Sequence, residues 1–434
     1  MKSERVFITG CGGMLGSAIY PFFASRYEDV LASDRIVNEK WLMRLDVRDD
    51  DHLARMFKEY RPDIVLHLAA ETNLEYCETH PEITIATNAV ATRNIAKLSE
   101  EYGAMLIYIS TAGVFDGKKS GFYTEEDQPN PIMVYGRTKY EGELYALENC
   151  SRTFVVRAGW MMGGGRDKEK KFIFKILEQV AQGKKEIFAV NDKWGTPTYT
   201  YDFAMNLFRL METEKYGTYH MVCEGEGSRY DVAEEILKIC GISDIDLVPV
   251  DSGYFEKEYF APRPRSEMMS NANLGKHGIN FMRPWRESLS DYIENYFFDF
   301  MRQPGLYQVK KERRKHLRED CGIPVTYSIK GEAGNILYSG ILINKCVSGA
   351  GLITSTALQS GQIIVFRDEK GSLLQPDAGG EHFMNEENSY RVGLESLNAG
   401  HFAAVKVLQV KTKDFFQDNE GKIRRLNTIS GMSL

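Results

Sequence analysis

The first sixteen residues, MKSERVFITGCGGMLG, constrain the fold of this chain more than any later stretch. A short apolar run, Val6-Phe7-Ile8, meets a turn with Gly10, Gly13 and Gly16 at three-residue spacing, and an apolar segment from Met14 to Phe23 follows. Strand, glycine turn and helix in that order open a βαβ unit of the dinucleotide-binding kind. Glycine lets the backbone turn tightly and approach a pyrophosphate, and the helix start offers unpaired N–H groups to the anion. The spacing departs from G-x-G-x-x-G, so the rest of the chain has to carry the reading.

The context is an alternation. Strand-like runs at Val6–Ile8, Val30–Ala32, Ile64–Leu68, Met105–Ser110 and Phe154–Arg157 are separated by helical patterns at Asp50–Tyr60, Ile83–Tyr102 and Tyr135–Leu147. This predicts a doubly wound parallel sheet of the Rossmann type, α/β in class, with a small substrate subdomain. Past residue 300 the character changes. A basic stretch, LYQVKKERRKHLR, precedes short runs broken by Gly, Asn and Asp (Val325–Ile329, Leu337–Ile343, Gly351–Thr354, Gln362–Phe366, Arg391–Leu394 and Ala403–Val410). These predict a small antiparallel β-barrel or sandwich. The expected organisation is a first domain over 1–298, a linker over 299–312 around the Pro304-Gly305 break, and a second domain over 313–434.

Composition removes several function classes. A net charge of −7 over 434 residues gives no footprint for nucleic acid. Seven scattered cysteines without a C-x-x-C pair fit reduced thiols in a cytoplasmic protein, not a disulfide framework or zinc site. No His/Asp/Glu group has metal-ligand spacing, no apolar run has the length of a membrane span, and the start carries no signal-peptide core.

Asp34 ends the second predicted strand, eighteen residues after Gly16, where a carboxylate accepts from adenosine ribose hydroxyls and favours NAD. Arg35 beside it suits a 2′-phosphate, which keeps NADP open. Asp46-Val47 follows the third strand, where adenine contacts sit. Tyr135 and Lys139 stand four apart in VYGRTKYEGE, on one face of a helix. An ammonium beside a phenol favours phenolate, so the pair can exchange a proton with a sugar oxygen. Trp160, Trp194, Tyr199 and Tyr201 read first as core and second as cleft lining, and His67 reads as a satisfied strand histidine.

Residues 1 to about 290 resemble the extended short-chain dehydrogenase/reductases, and closely the dTDP-4-dehydrorhamnose reductase branch. The matching stretches are ITGCGGMLG, DIVLHLAAETNLEYCETHPEITIATNAVATRNIA, ISTAGVFDG, VYGRTKYEGE, VVRAGW, GTPTYTYDFA and APRPRSEMMSN. The resemblance implies Thr111 as the group hydrogen-bonding the substrate carbonyl, Tyr135 as the acid and Lys139 as the holder of the nicotinamide ribose. It implies cofactor contacts at Gly10, Gly13, Met14, Leu15, Gly16, Asp34, Arg35, Asp46, Val47, Ala69, Ala70, Tyr135 and Lys139. One departure stands out: the family usually carries an Asp-Tyr pair after the threonine, whereas this chain has Ala112-Gly113.

Arg314 and Arg318 form R-x-x-x-R, and guanidinium forks match phosphate or the O6/N7 edge of guanine. With the CVSGAGL turn and the later YRVGLE, residues of about 305–412 resemble a PilZ domain. The resemblance implies cyclic di-GMP binding through Arg314, Arg318, Ser348 and Gly351, with Cys346 where Asp or Asn is usual. The expected function is NAD(P)H-dependent reduction of a nucleotide-linked keto-sugar, coupled to a cyclic di-GMP receptor domain and serving surface polysaccharide. The alternative is a non-catalytic nucleotide-binding effector that responds to cyclic di-GMP. A homodimer is a further expectation.

Overall fold

The protein is described by a computed structural model. It covers residues 2–297 and, in backbone only, six strands between residues 319 and 409. The chain divides into two compact units, Met1–Val309 and Lys310–Leu434.

The first unit is built on a seven-stranded parallel sheet. In chain order its first six strands are β1 (Lys2–Thr9), β2 (Tyr27–Asp34), β3 (Leu42–Arg44), β4 (Ile64–His67), β5 (Met105–Thr111) and β6 (Thr153–Ala158). In space they run β3-β2-β1-β4-β5-β6, with Gly217–Met221 completing the far edge beside β6. The order reverses between β1 and β4, and in open α/β sheets the crevice at such a switch point is where ligands bind. Four of the five strand-like runs read from the sequence lie inside these strands, and the fifth, Ile64–Leu68, passes the end of β4 by one residue. β5 and β6 are buried along nearly their whole length, as strands covered on both faces must be.

Six helices and a π turn follow the sheet through the first half: α1 (Met14–Ala24), α2 (Asp50–Tyr60), α3 (Leu74–Thr79), α4 (Pro81–Ile85), α5 (Ala91–Tyr102) and α6 (Val134–Asn149). Leu53 and Phe57 of α2, Ile95 and Ala96 of α5, and Ala146 of α6 close one core with Phe7, Leu106 and Val155 of the sheet. Phe22 and Phe23 of α1 pack edge-on against Phe208 of the helix Thr200–Met211. Asp49 caps α2 by accepting from the His52 N–H at 2.9 Å.

The sequence predicts one helix over Ile83–Tyr102. The structure keeps the stretch helical throughout and passes it through a π turn: α4 runs into Ala86–Val90 and that into α5. In that turn buried Asn88 donates to the Glu71 carbonyl at 3.0 Å and accepts from the Glu71 N–H at 2.8 Å.

Short strands after β6 form a subdomain. Trp194–Gly195 is flanked by Gly227–Ser228 and Ser266–Glu267, and Trp160–Met162 pairs with Pro197–Tyr199. Buried Arg283 ties it together, donating to Asp202 at 2.7 Å and to Asp291, while Ser288 also donates to Asp202. In the second unit the strands Glu319–Ile329, Tyr338–Cys346, Gly349–Thr354, Ala403–Gln409, Ser389–Leu394 and Ile363–Arg367 neighbour one another in that order and close a barrel of antiparallel pairs. Among the described residues no helix is long and apolar enough to cross a membrane.

Candidate active site

The glycine turn sits at the switch point, and its three glycines answer different demands. Gly10 has φ +67°, and a Cβ there would lie 2.4 Å from the Ala69 backbone. A Cβ on Gly16 would lie 2.1 Å from the Cys11 carbonyl oxygen. Packing therefore requires both. Gly13 is different: among the described residues the nearest atom to a Cβ there is 3.6 Å away, so none of them demands glycine. That cradle is one a Cβ would narrow for a ligand. Gly13 also precedes α1, which no side chain caps. The N–H groups of Met14, Leu15 and Gly16 come before the first turn closes with Ser17 N–H on the Gly13 carbonyl at 3.1 Å. Free donors at a helix start and an open glycine fit a dinucleotide pyrophosphate.

The other expected cofactor contacts gather at the same strand ends, with one exception. Asp34 accepts from the Gly12 N–H and the Ile36 N–H, each at 3.0 Å, and so braces the turn. Arg35 is exposed beside it, and Ala69 and Ala70 follow β4. Asp46 is paired with Arg48 at 2.5 Å, whose hydrogen bond holds its carboxyl below the usual range. Val47 is the exception: its side chain is buried in the core with Phe7, Leu53 and Phe57, leaving only its backbone for a ligand. His67 is a core group, bonded to Thr9 at 2.8 Å and Thr92 at 3.0 Å and held neutral by burial, with its pKa lowered to about 3.

Thr111, Tyr135 and Lys139 come together where β5 ends. Thr111 accepts from the Gly113 N–H at 3.1 Å. α6 approaches this turn closely because it carries Gly136, where a Cβ would sit 2.1 Å from the Gly113 carbonyl oxygen. A turn and a half later Gly142 makes the same allowance for Tyr108, whose hydroxyl would be 2.3 Å from a Cβ. Tyr108 donates to the carbonyls of Asn88 and Lys139, at 3.2 Å each, and its ring lies under the Lys139 ammonium, 4.1 Å from Nζ to the centroid. Burial pushes the Tyr135 phenol up to about 12, although the Thr111 hydroxyl hydrogen-bonds it and pulls the other way. Burial pushes Lys139 down to about 7, opposed by Glu143 one turn along. The spacing alone predicts a lysine that lowers the phenol; instead burial, with Cys77 and Glu267, raises Tyr135, and the Thr111 hydroxyl is the group that lowers it. Glu143 is itself fixed by a buried two-point ion pair with Arg157, at 2.7 and 2.9 Å.

The subdomain contributes groups that the sequence reading missed. Glu267 Oε2 accepts from the Trp160 indole N–H at 2.8 Å, and Arg229 stacks on Trp160 at 3.8 Å. Burial lowers Arg229 to about 10 and raises Glu267. Glu75 and Arg263 pair nearby at 2.7 Å. Of the four aromatics singled out, Tyr199 and Tyr201 are core, Trp160 belongs to this cluster, and Trp194 is partly exposed. Arg314, Arg318 and Ser348 lie outside the described residues, while Gly351 lies on the strand Gly349–Thr354. Among the described residues no acid, His and Cys group has the arrangement to hold a metal ion.

The family described as the RmlD substrate binding domain matches residues 4–298. This chain belongs to that family. It is similar to the dTDP-4-dehydrorhamnose reductase of Mycobacterium tuberculosis, 31% identical over 67% of this chain and 92% of the relative. Two solved structures agree. A dTDP-4-dehydrorhamnose reductase from Clostridium acetobutylicum is 31% identical, with a TM-score of 0.61 over 67% of this chain and 98% of its own. The enzyme of that name from Bacillus anthracis, in complex with NADP, is 30% identical with a TM-score of 0.60, over 68% and 99%. The chain is an NAD(P)-dependent oxidoreductase of the short-chain dehydrogenase/reductase type.

Proposed function

We propose that the first unit reduces a dTDP-linked 4-keto-6-deoxy-sugar with NAD(P)H. The observation that carries this reading is the meeting of Thr111, Tyr135 and Lys139 beside an open glycine cradle. NAD(P)H supplies the hydride that reaches the carbonyl carbon. Thr111 donates a hydrogen bond to the carbonyl oxygen, and Tyr135 gives that oxygen its proton as charge develops. A phenol near 12 keeps its proton until an alkoxide forms and then yields it readily. Lys139, one helical turn after Tyr135 and over the Tyr108 ring, is assigned to hold the nicotinamide ribose and to stabilise the phenolate left behind. Asp34 reads the adenosine ribose and Arg35 borders it, so Asp34→Ala moves preference toward NADPH.

The second unit is proposed as a PilZ-type receptor for cyclic di-GMP, in a protein that links a deoxysugar step to surface polysaccharide. Arg314, Arg318, Ser348 and Gly351 are the proposed contacts. Gly351 pairs in register with Asn344, and Cys346 with Gly349, so an amide-bearing residue stands two positions from the place the motif gives an acceptor. The test of the first proposal is oxidation of NADPH and NADH over a panel of dTDP-linked keto-sugars. Turnover on a 4-keto-6-deoxy-sugar supports it. Tight cofactor binding with no turnover on any sugar supports the effector reading instead.

A further inference from the structure

Glu267 is an acid of the subdomain cluster with no task in the scheme above. It stands on the short strand Ser266–Glu267, which pairs with Trp194–Gly195. Its Oε2 is fixed by the Trp160 indole, and that ring is itself wedged. A Cβ on Gly195 would lie 2.3 Å from it, and the Arg229 guanidinium lies 3.8 Å from its centroid. The carboxyl is therefore held in one pose. Its second oxygen, Oε1, lies 3.6 Å from where a Cβ of residue 113 would stand, and no described residue donates to it. Residue 113 is the glycine whose N–H bonds Thr111, so Oε1 opens beside the carbonyl-binding threonine.

The resemblance implies an Asp-Tyr pair here, and this chain has Ala112-Gly113. At that place no side chain of residue 113 stands, and a carboxylate from 154 positions further along the chain reaches the space (267 − 113). A held carboxylate oxygen recognises a hydrogen-bond donor. Burial raises the Glu267 carboxyl, while the Trp160 hydrogen bond and Arg229, Arg263 and Lys193 favour its charged form, so cationic neighbours are already at hand and the open place at Oε1 suits a neutral donor such as a hydroxyl. In a 4-keto-6-deoxy-hexose the carbonyl has two neighbours: C5 offers the methyl group and ring oxygen, and C3 offers a hydroxyl.

We infer that Glu267 is a specificity-determining residue whose Oε1 accepts from the substrate hydroxyl next to the reducible carbonyl, replacing the family's Asp-Tyr pair. The inference rests on the proposed reductase reading. A hydrogen bond to a charged group, lost with the acceptor left buried, discriminates by about 10–100-fold.

The experiment compares kcat/KM of the full chain, saturated with NADPH, for a dTDP-4-keto-6-deoxy-hexose and its 3-deoxy counterpart. Wild type prefers the hydroxylated sugar by about 10–100-fold. Glu267→Ala brings the two within about threefold, Glu267→Gln keeps part of the preference through its amide oxygen, and NADPH affinity is unchanged in both. Trp160→Phe, which frees the carboxyl to swing, narrows the ratio and serves if the alanine variant does not fold. An equal ratio in wild type and Glu267→Ala, or no preference in wild type, overturns the inference. If wild type reduces neither sugar, the reductase reading fails on its own. Calorimetry with the corresponding reduced dTDP-6-deoxy-hexoses, with and without the 3-hydroxyl, then decides the role of Glu267 by the same collapse or its absence.

Discussion

Lys139 shows how far a single residue can work against the fold that houses it. Its side chain is only 2% exposed and its folded pKa is near 7 against a usual 10.5. A lysine whose pKa falls on folding makes the unfolded chain bind more protons between those values. Stability then rises with pH from about 7 to 10.5, and the full cost of the buried charge is present below 7. Lys139→Met is therefore expected to be more stable than wild type at pH 6. The gap should narrow toward pH 10 by up to about 1.4 kcal/mol per pH unit. Denaturant titrations of both proteins without cofactor, at pH 6, 8 and 10, check this. A constant gap would show that Lys139 keeps its proton throughout. In the proposed chemistry Lys139 stabilises the phenolate of Tyr135, so the same variant should lose about 10²–10⁴-fold in turnover.

At the scale of elements, α6 is the piece that assembles the chemistry, and its glycines set how. Gly136 faces the Gly113 carbonyl with no room for a Cβ, and that atom is backbone and does not swing away. Gly136→Ala should push α6 from the β5 end, costing about 1–3 kcal/mol in stability. It should cost more in turnover, because Tyr135 moves with the helix. Thermal melts alongside kcat measure the two effects, and a melt unchanged from wild type would show that the turn adjusts freely. On the cofactor side, Gly13→Asp fills the open cradle with bulk and like charge. Saturable NADPH binding followed by fluorescence should disappear while the melt stays near that of wild type.

These contrasts show what the sequence could disclose. VYGRTKYEGE gives a helix with Tyr135 and Lys139 on one face from spacing alone, and the apolar runs give the strands. The same ten residues did not reveal Gly136 and Gly142 as contact points, because the partners, Gly113 and Tyr108, are distant in the chain. Glu267 was inside the quoted APRPRSEMMSN stretch but has no local signature, since its meaning comes from Trp160 and Gly113 across the cleft. The helix that periodicity draws over Ile83–Tyr102 is continuous, but its π turn at Ala86–Val90, where Asn88 holds the Glu71 backbone, has no signal in the local pattern. Val47 shows the converse: the local pattern suggests a ligand contact, and tertiary packing takes the side chain into the core.

For the whole molecule the account joins two units, a family oxidoreductase over residues 4–298 and a closed antiparallel barrel after it. The proposed ligand of the second unit is testable on the full chain. Calorimetry with cyclic di-GMP should give binding that Arg314→Ala/Arg318→Ala removes and Cys346→Asp tightens, since a carboxylate accepts hydrogen bonds where a thiol does so weakly. No heat in wild type or in Cys346→Asp at high micromolar ligand would end the receptor reading. The central claim is the hydride transfer, and its most direct measurement follows the atom itself. The full chain is given a dTDP-4-keto-6-deoxy-hexose and, in separate runs, NADH or NADPH carrying deuterium at the transferable C4 position, and the sugar product is analysed by mass spectrometry. The account predicts one deuterium at the former carbonyl carbon, formed about 10²–10⁴-fold more slowly by Tyr135→Phe with NADPH affinity intact. A product without deuterium, or labelling undiminished in Tyr135→Phe, would contradict it.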